Sequence, residues 1–351
     1  MQNRWIVSSS LALLLVAVVG AFAGYVHLFF WSAASTSSEV VFHDVVAGDS
    51  IQKISQELHE KGVVRDSHLF WLTMRIHRVG ARLKKGEYSF RKNMTPAEVI
   101  EILTSGRSIG RNFTISEGLN LFEISELFEK QGFGSQNDFL QAAMDRERIF
   151  TLLGEHLPSF EGYLYPETYQ LTKHMQPQAL VTKMVEKFLK SYEPLEGQAL
   201  RKGWKRKDVV TLASIVEKET GAPHERPIIS AVFYNRLKKG MKLQTDPTII
   251  YGKALDLGRV VLSITRADLR APHPYNTYHI YGLPPTPIAN PGFESLKAAL
   301  NPADTPYLYF VSQNDGTHIF SETYEGHQKA VREHQMNPKA RQGKSWRDLK
   351  K

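Results

Sequence analysis

From Trp5 to Ser38 the chain contains no Asp, Glu, Lys or Arg, and Ile6 to Trp31 is strongly apolar. A helix needs about 20 such residues to cross the hydrocarbon core of a bilayer, so this run predicts a transmembrane helix over residues 5–31. Trp5 at one end and Tyr25 and Trp31 at the other suit the two membrane–water interfaces. Arg4 and the amino terminus precede the run, whereas Glu39, Asp44 and Asp49 follow it. The positive-inside rule then leaves residues 1–4 in the cytoplasm and the bulk of the chain outside it. A cleaved signal peptide ending at Ala21-Phe22-Ala23 is the competing reading. Against it, the sequence from Tyr25 to Trp31 stays apolar past that site, longer than a signal core requires. No second run of comparable length follows, which predicts a single pass.

At 351 residues the chain exceeds the usual size of one domain, about 100–200 residues, so two domains plus extras are expected. The absence of cysteine excludes disulfides, thiolate metal sites and cysteine nucleophiles. A net charge of +8 favours anionic surroundings such as lipid head groups or cell-wall polymer. Much of that charge is local. Lys339, Arg341, Lys344, Arg347, Lys350 and Lys351 face only Asp348 in a basic tail, 338–351, expected to be solvated. The remainder is only mildly basic, and nucleic acid is not an expected partner.

A small Ser/Ala-rich linker (32–40) leads into a first domain over 41–107. Val40 to Val45 reads as a strand, and Ile51, Ile54 and Leu58 set a helical period that Asp49 or Ser50 can cap and Gly62 can close. This block recurs. GDSIQKISQELHEKG (Gly48–Gly62) aligns with GLNLFEISELFEKQG (Gly118–Gly132) at an offset of 70, which predicts a strand–turn–helix unit used twice. The first copy resembles a LysM module, a small βααβ fold, and that resemblance implies binding to glycan rich in N-acetylglucosamine. A compact α/β spacer fits the same residues. Residues 69–76 read as helix and 86–90 as strand, and Thr95-Pro96-Ala97-Glu98 carries a capping box with proline at the first position. Residues 108–337 mix helices (135–144, 177–191, 208–220) with strands (307–311, 318–320), so the fold class is α+β.

Several familiar chemistries are absent. His224-Glu225-Arg226 begins like a zinc-protease helix, but Ile228 stands where the second histidine belongs. Gly343-Lys344-Ser345 ends like a P-loop, but Pro338 replaces its first glycine. No metal or cofactor is expected. Glu217 and Glu219 come forward instead, where the apolar pattern of Val209, Leu212, Ala213 and Val216 ends. On a helical wheel both fall roughly 70–90° from the centre of that face, one on each flank, and the wheel does not choose between them. Either could be a boundary residue paired with Lys218 or Arg226. A carboxyl half-sunk against Ile215 and Val216 would be desolvated, which favours its neutral form and suits a general acid. A polar, turn-rich stretch with Gln244, Thr245 and Asp246 follows, and Asp246-Pro247 reads as a turn.

ASIVEKET (213–220), LQTDPTIIYG (243–252), PYNTYHIYGLPP (274–285), IANPG (288–292) and EGYLYPETY (161–169) together closely resemble the endolytic murein transglycosylases, the MltG/YceG-like family. The likeness covers the chain in order: anchor, LysM-like domain, catalytic domain. It implies a lyase of the bacterial inner membrane, its catalytic domain periplasmic, that cuts the β-1,4 bond between N-acetylmuramic acid and N-acetylglucosamine. The product would be a 1,6-anhydromuramyl end on nascent strands, made beside peptidoglycan synthases such as penicillin-binding proteins, and terminating elongation. By that resemblance the first glutamate of the E-K-E triplet, Glu217, acts as acid and then base, without a cofactor. Gln244, Thr245, Asp246, Asn276, Thr277 and Tyr278 are expected in the groove, and Tyr163, Tyr165 and Tyr169 as stacking surfaces. Loop structure or core packing explains each of them equally. His318, Phe320 and His327 stand further back. Two departures are visible: Glu167 where Asp is expected, and Thr286 where Gly is expected. Two rival readings are a membrane-tethered glycan-binding scaffold without activity and an ordinary glycosidase that draws a second carboxylate from Asp246 or Glu219.

Overall fold

The structure, a computed structural model, describes residues 2–46, 48–172, 175–219 and 221–336, and residues 2–12 by backbone alone. The basic tail at 338–351 lies outside these residues. The chain is mostly helical, with three pairs of short strands, and divides into two compact units: Met1–Asn112 with Gln170–Met175, and Phe113–Tyr169 with Gln176–Lys351. The division falls a few residues beyond 107, where the sequence places its boundary.

The first unit opens with helix α1, Gln2–Phe30. Its window Leu13–Phe30 has a mean hydropathy of 2.2 and is long and apolar enough to cross a membrane. The end of α1 belongs to the fold: Phe29 is buried in a cluster with Val45, Phe70 and Met74, and Phe30 stacks on His77 at 5.2 Å. Strand β1 (Val40–Val45), helices α2 (Ile51–Glu60) and α3 (Ser67–Ile76), strand β2 (Gly86–Arg91) and helix α4 (Pro96–Ser105) follow. β1 and β2 pair antiparallel from Val40↔Arg91 to Val45↔Gly86, so the order is β-α-α-β. Alternation turns Val45, Tyr88 and Phe90 inward, where α2 and α3 present Ile54, Leu58, Phe70 and Met74. The capping box at Thr95 forms: its N–H donates to Glu98 Oε2 (2.7 Å) while its hydroxyl accepts from Glu98 N–H (3.3 Å).

The repeat survives at the level of individual bonds. Helix α5 (Leu121–Lys130) is capped by Asn120 as α2 is by Ser50, at the same offset of 70. Both helices close alike. Gly62 and Gly132 take left-handed φ of 71° and 74°. Val63 N–H donates to Leu58 O and Phe133 N–H to Phe128 O (2.9 and 3.1 Å), the long bond of a Schellman motif. Around α5 and α6 (Gln136–Ala143) lie strands β3 (Arg111–Thr114) and β4 (Thr168–Leu171), which pair with each other. Ile115 N–H donates to Glu167 O and the Thr114 and Thr168 hydroxyls meet at 2.9 Å, partners that step in opposite directions, so this pair too is antiparallel. The second copy is thus a β-α-α-β unit with one added helix, α7 (Arg146–Leu153), before its closing strand.

The second unit continues with α8 (Pro177–Arg201), α9 (Arg206–Glu219), α10 (Arg226–Lys238), α11 (Asp246–Leu257), α12 (Arg266–Arg270), α13 (Phe293–Leu300), β5 (Tyr309–Ser312), β6 (His318–Ser321) and α14 (Tyr324–Val331). α9 is its centre. Every residue from Val209 to Val216 is buried, because α8, α10, α11 and α13 all pack on it. A helix enclosed on all sides needs no polar face; its Thr211 and Ser214 hydroxyls donate to Lys207 O and Thr211 O (2.7 Å each). α8 outruns its predicted end at 191 by passing through Pro194, because Tyr192, Leu195 and Ala199 beyond that point are buried. Asp246-Pro247 does not form the expected isolated turn. It opens α11, where a proline's missing N–H costs nothing because first-turn amides have no partner within the helix.

Candidate active site

Glu219 is the last residue of α9, and the loop before α11 folds against it. Gln244 takes a left-handed φ of 54° there, held by its N–H to Thr277 O (3.1 Å). A non-glycine residue in that region costs on the order of 1–3 kcal/mol, so the surrounding bonds must hold it. Thr245 N–H donates to Thr277 Oγ1 (3.0 Å), which in turn meets Thr248 Oγ1 (2.9 Å). The Thr245 hydroxyl donates to Glu219 Oε1. From below, buried Arg236 of α10 donates to Leu243 O (2.8 Å) and Leu308 O (2.7 Å) and lies 5.2 Å over the Tyr309 ring. These contacts frame a cavity of about 360 Å³ with Glu219, Gln244, Asp246 and Tyr278 on its walls, and Tyr309 and His327 among the aromatic residues that complete it.

Burial pushes the Glu219 carboxyl up to about 7. The Asp246 charge pushes the same way, against the Thr245 hydrogen bond and the Arg236 charge. Tyr278 donates its hydroxyl to Asp246 Oδ1 (2.7 Å), and burial and that carboxylate raise its own pKa. A half-buried carboxyl that titrates near neutrality, on the wall of a polar cavity, can both give and take a proton.

Glu217 is placed differently. Its side chain is 6% exposed and both oxygens are engaged: Oε1 accepts from Arg226 Nη2 (3.2 Å) and Oε2 from Gly292 N–H (3.0 Å). Arg226 also reaches Ser295 Oγ (3.1 Å) and Glu117 (3.5 Å). Burial and the Glu217 charge raise the Glu117 pKa against Arg226. Glu217 therefore ties α9 to α10 and α13, and it is not on the wall of the cavity at Glu219.

The other expected residues separate by burial. Gln244 and Asp246 are exposed on the cavity, and Tyr278 lines it half-buried. Thr245 is buried and reaches the site through Glu219. Asn276 and Thr277 are fully buried and support the wall: Asn276 Nδ2 donates to Ala271 O (2.8 Å) and its Oδ1 accepts from Tyr278 N–H (3.0 Å). Tyr163 is core, edge-on to Phe188, and Tyr169 is buried with its hydroxyl on Tyr165 O (2.6 Å), which leaves neither a face for a sugar. Tyr165 is half-buried and is not on the wall of the cavity at Glu219. His318 goes to buried Glu225, its Nδ1 2.7 Å from Oε2. Arg236, Tyr309, Phe310 and Tyr324, which the sequence reading does not single out, come from α10, β5 and α14, and of these elements it expects only the strand. IANPG has a buried role. Asn290 Oδ1 accepts from Gly162 and Leu164 N–H (2.9 and 2.8 Å), and its Nδ2 donates to Leu119 O and Glu161 Oε1 (2.9 and 2.8 Å). Burial pushes Glu161 up to about 8. No cluster of metal-ligating side chains occurs among the described residues.

A buried central helix that ends in a titratable carboxyl on the wall of a polar, aromatic cavity defines a class suited to acid–base work on a polar substrate. The chain belongs to the YceG-like family, which it matches over residues 43–333. An endolytic murein transglycosylase of Bacillus subtilis is 31% identical over 310 residues, 84% of each chain. One from Streptococcus pneumoniae is 27% identical over 361 residues, covering 93% of this chain and 65% of its own. The crystal structure of a yceG-like protein from Listeria monocytogenes, 31% identical, superposes with a TM-score of 0.57 over 84% of this chain and 99% of that one.

Proposed function

We propose that this protein is an endolytic murein transglycosylase in which Glu219, rather than Glu217, is the acid and base. The observation that carries the residue assignment is that Glu219 lines the cavity with a carboxyl raised to about 7, whereas both Glu217 oxygens are engaged in the interior. Protonated Glu219 gives its proton to the oxygen of the β-1,4 bond as the bond to the muramyl carbon breaks. The muramyl 6-hydroxyl then attacks that carbon, and the Glu219 carboxylate takes the hydroxyl proton. A 1,6-anhydro ring results, and no water is consumed. Thr245 orients the Glu219 carboxyl, and the exposed Gln244 and Asp246 and the aromatic wall hold the sugars.

The first unit reads as a LysM-like module that grips glycan, on the support of its β-α-α-β order and the Gly48–Gly62 signature. α1 reads as an uncleaved single-pass anchor of the inner membrane with the catalytic unit outside the cytoplasm; the packing of Phe29 and Phe30 into the first unit supports retention of the helix. Work on nascent strands beside penicillin-binding proteins follows from that location. Incubating the protein with purified glycan strands and weighing the fragments tests the activity. The expected ends are one water lighter than hydrolytic ends; reducing ends would mean a glycosidase, and intact strands a binding scaffold.

A further inference from the structure

Two further cavities lie at the other end of α9. One, of about 600 Å³, is lined by Lys205, Lys207, His156, Tyr275 and Thr286, among others. Its neighbour, of about 480 Å³, shares Lys207 and Pro285 with it and adds Trp204, Asp208 and Leu283. Each is larger than the cavity at Glu219. At 1.5 Å per residue, Lys207 and Glu219 are roughly 18 Å apart along the helix. One chain segment borders both places: Tyr275, Pro285 and Thr286 face this end, and Tyr278 faces Glu219. Thr286 stands where the family resemblance expects glycine, and its hydroxyl meets Tyr275 OH at 2.6 Å.

The charges here are uneven. Glu155, on the wall of the larger cavity, is neutralised by Arg206 at 3.0 Å. Lys205 is exposed and Lys207 half-buried, and neither has an ion-pair partner among the described residues; Asp208 is the other carboxylate on these walls. Beside the lysines the surface is apolar: Trp204 stacks on Tyr234 at 4.9 Å, and Pro284, Pro285 and Leu283 complete the wall. Two unpaired ammonium groups over an apolar floor fit a short amphipathic anion better than a neutral sugar. Murein carries such groups, since its muramyl units bear short peptides with free carboxylates. Four or five extended residues reach about 13–18 Å, enough to run from a sugar at Glu219 to the lysines.

We propose that this pair of cavities is a second substrate subsite that holds the acidic peptide of the glycan, with Lys205 and Lys207 on its carboxylates and Trp204 and the prolines on its aliphatic part. The proposal rests on the murein reading above. Its test compares the native full chain with Lys205→Glu/Lys207→Glu on peptide-bearing strands and on strands stripped of peptide. The expected loss is at least tenfold in kcat/KM on peptide-bearing strands, carried by KM, with stripped strands cut equally well by both proteins. An equal loss on both substrates, or no loss on either, overturns the proposal. Lys205→Met/Lys207→Met, which keeps the stems and removes the charge, should show the same selectivity with native melting. Titrating a free acidic tetrapeptide into both proteins separates this proposal from the murein reading. Binding by the native chain alone supports the subsite even if no strand is cut, and absence of binding sinks it even if strands are cut.

Discussion

Two residues of helix turn a side chain by about 200°, so Glu217 and Glu219 leave α9 on opposite sides. One meets Arg226 and the Gly292 amide; the other meets a cavity. The helical wheel placed both on the flanks of an apolar face and could not know which flank held a cation. The resemblance pointed to Glu217, and the geometry favours Glu219. Because the raised Glu219 pKa keeps its acid form populated up to about 7, kcat/KM should fall about tenfold per pH unit above that value. The Asp246 charge contributes to the rise, so Asp246→Asn should move this alkaline limb to lower pH, whatever it does to the maximal rate. A pH–rate profile reads the shift, and an unmoved limb would separate Asp246 from the titration. Gln244, Asp246 and Tyr278, expected together in a groove, do line one cavity; Tyr163 and Tyr169 were not distinguishable from core, because period-two aromatics suit a sugar and a buried turn alike.

At the scale of elements, local rules predicted well where local chemistry decides. The Thr95 capping box and the paired glycines of the repeat are backbone requirements written in neighbouring residues. They failed where packing decides. Asp-Pro suits a turn and a helix start equally, and only α11 settles which. The pattern of Val209, Leu212, Ala213 and Val216 gives α9 one apolar face, yet the polar Thr211 and Ser214 between them are buried too, with both hydroxyls satisfied inside. EGYLY shows how tightly such segments are held. A Cβ at Gly162, where φ is +90°, would sit 2.5 Å from Pro287 and 2.8 Å from Val210. Gly162→Ala should therefore destabilise the second unit by at least ~3 kcal/mol, through steric overlap and backbone strain together. Denaturant unfolding measures it, and a loss under ~1 kcal/mol would mean that the wall yields.

For the whole molecule, the uncharged run that dominates the sequence becomes a helix long and apolar enough for a bilayer, whose last turn sends Phe29 into the core. The β-α-α-β repeat was half visible: helices and caps align at a fixed offset, but strand pairing joins residues more than forty positions apart. The same distance hid Arg236, Tyr309 and Tyr324, whose place at the cavity depends on how α10, β5 and α14 pack. The central claim is that one carboxyl, Glu219, carries the chemistry of this assembly. The rate of anhydromuramyl end formation by Glu219→Gln and Glu217→Gln, each with melting recorded, tests it. Glu219→Gln should lose on the order of 10²–10⁴ of the native rate while staying folded and bound to glycan. Glu217→Gln should melt earlier and keep the rate of its folded fraction within about tenfold. A folded, inactive Glu217→Gln beside an active Glu219→Gln would contradict the assignment.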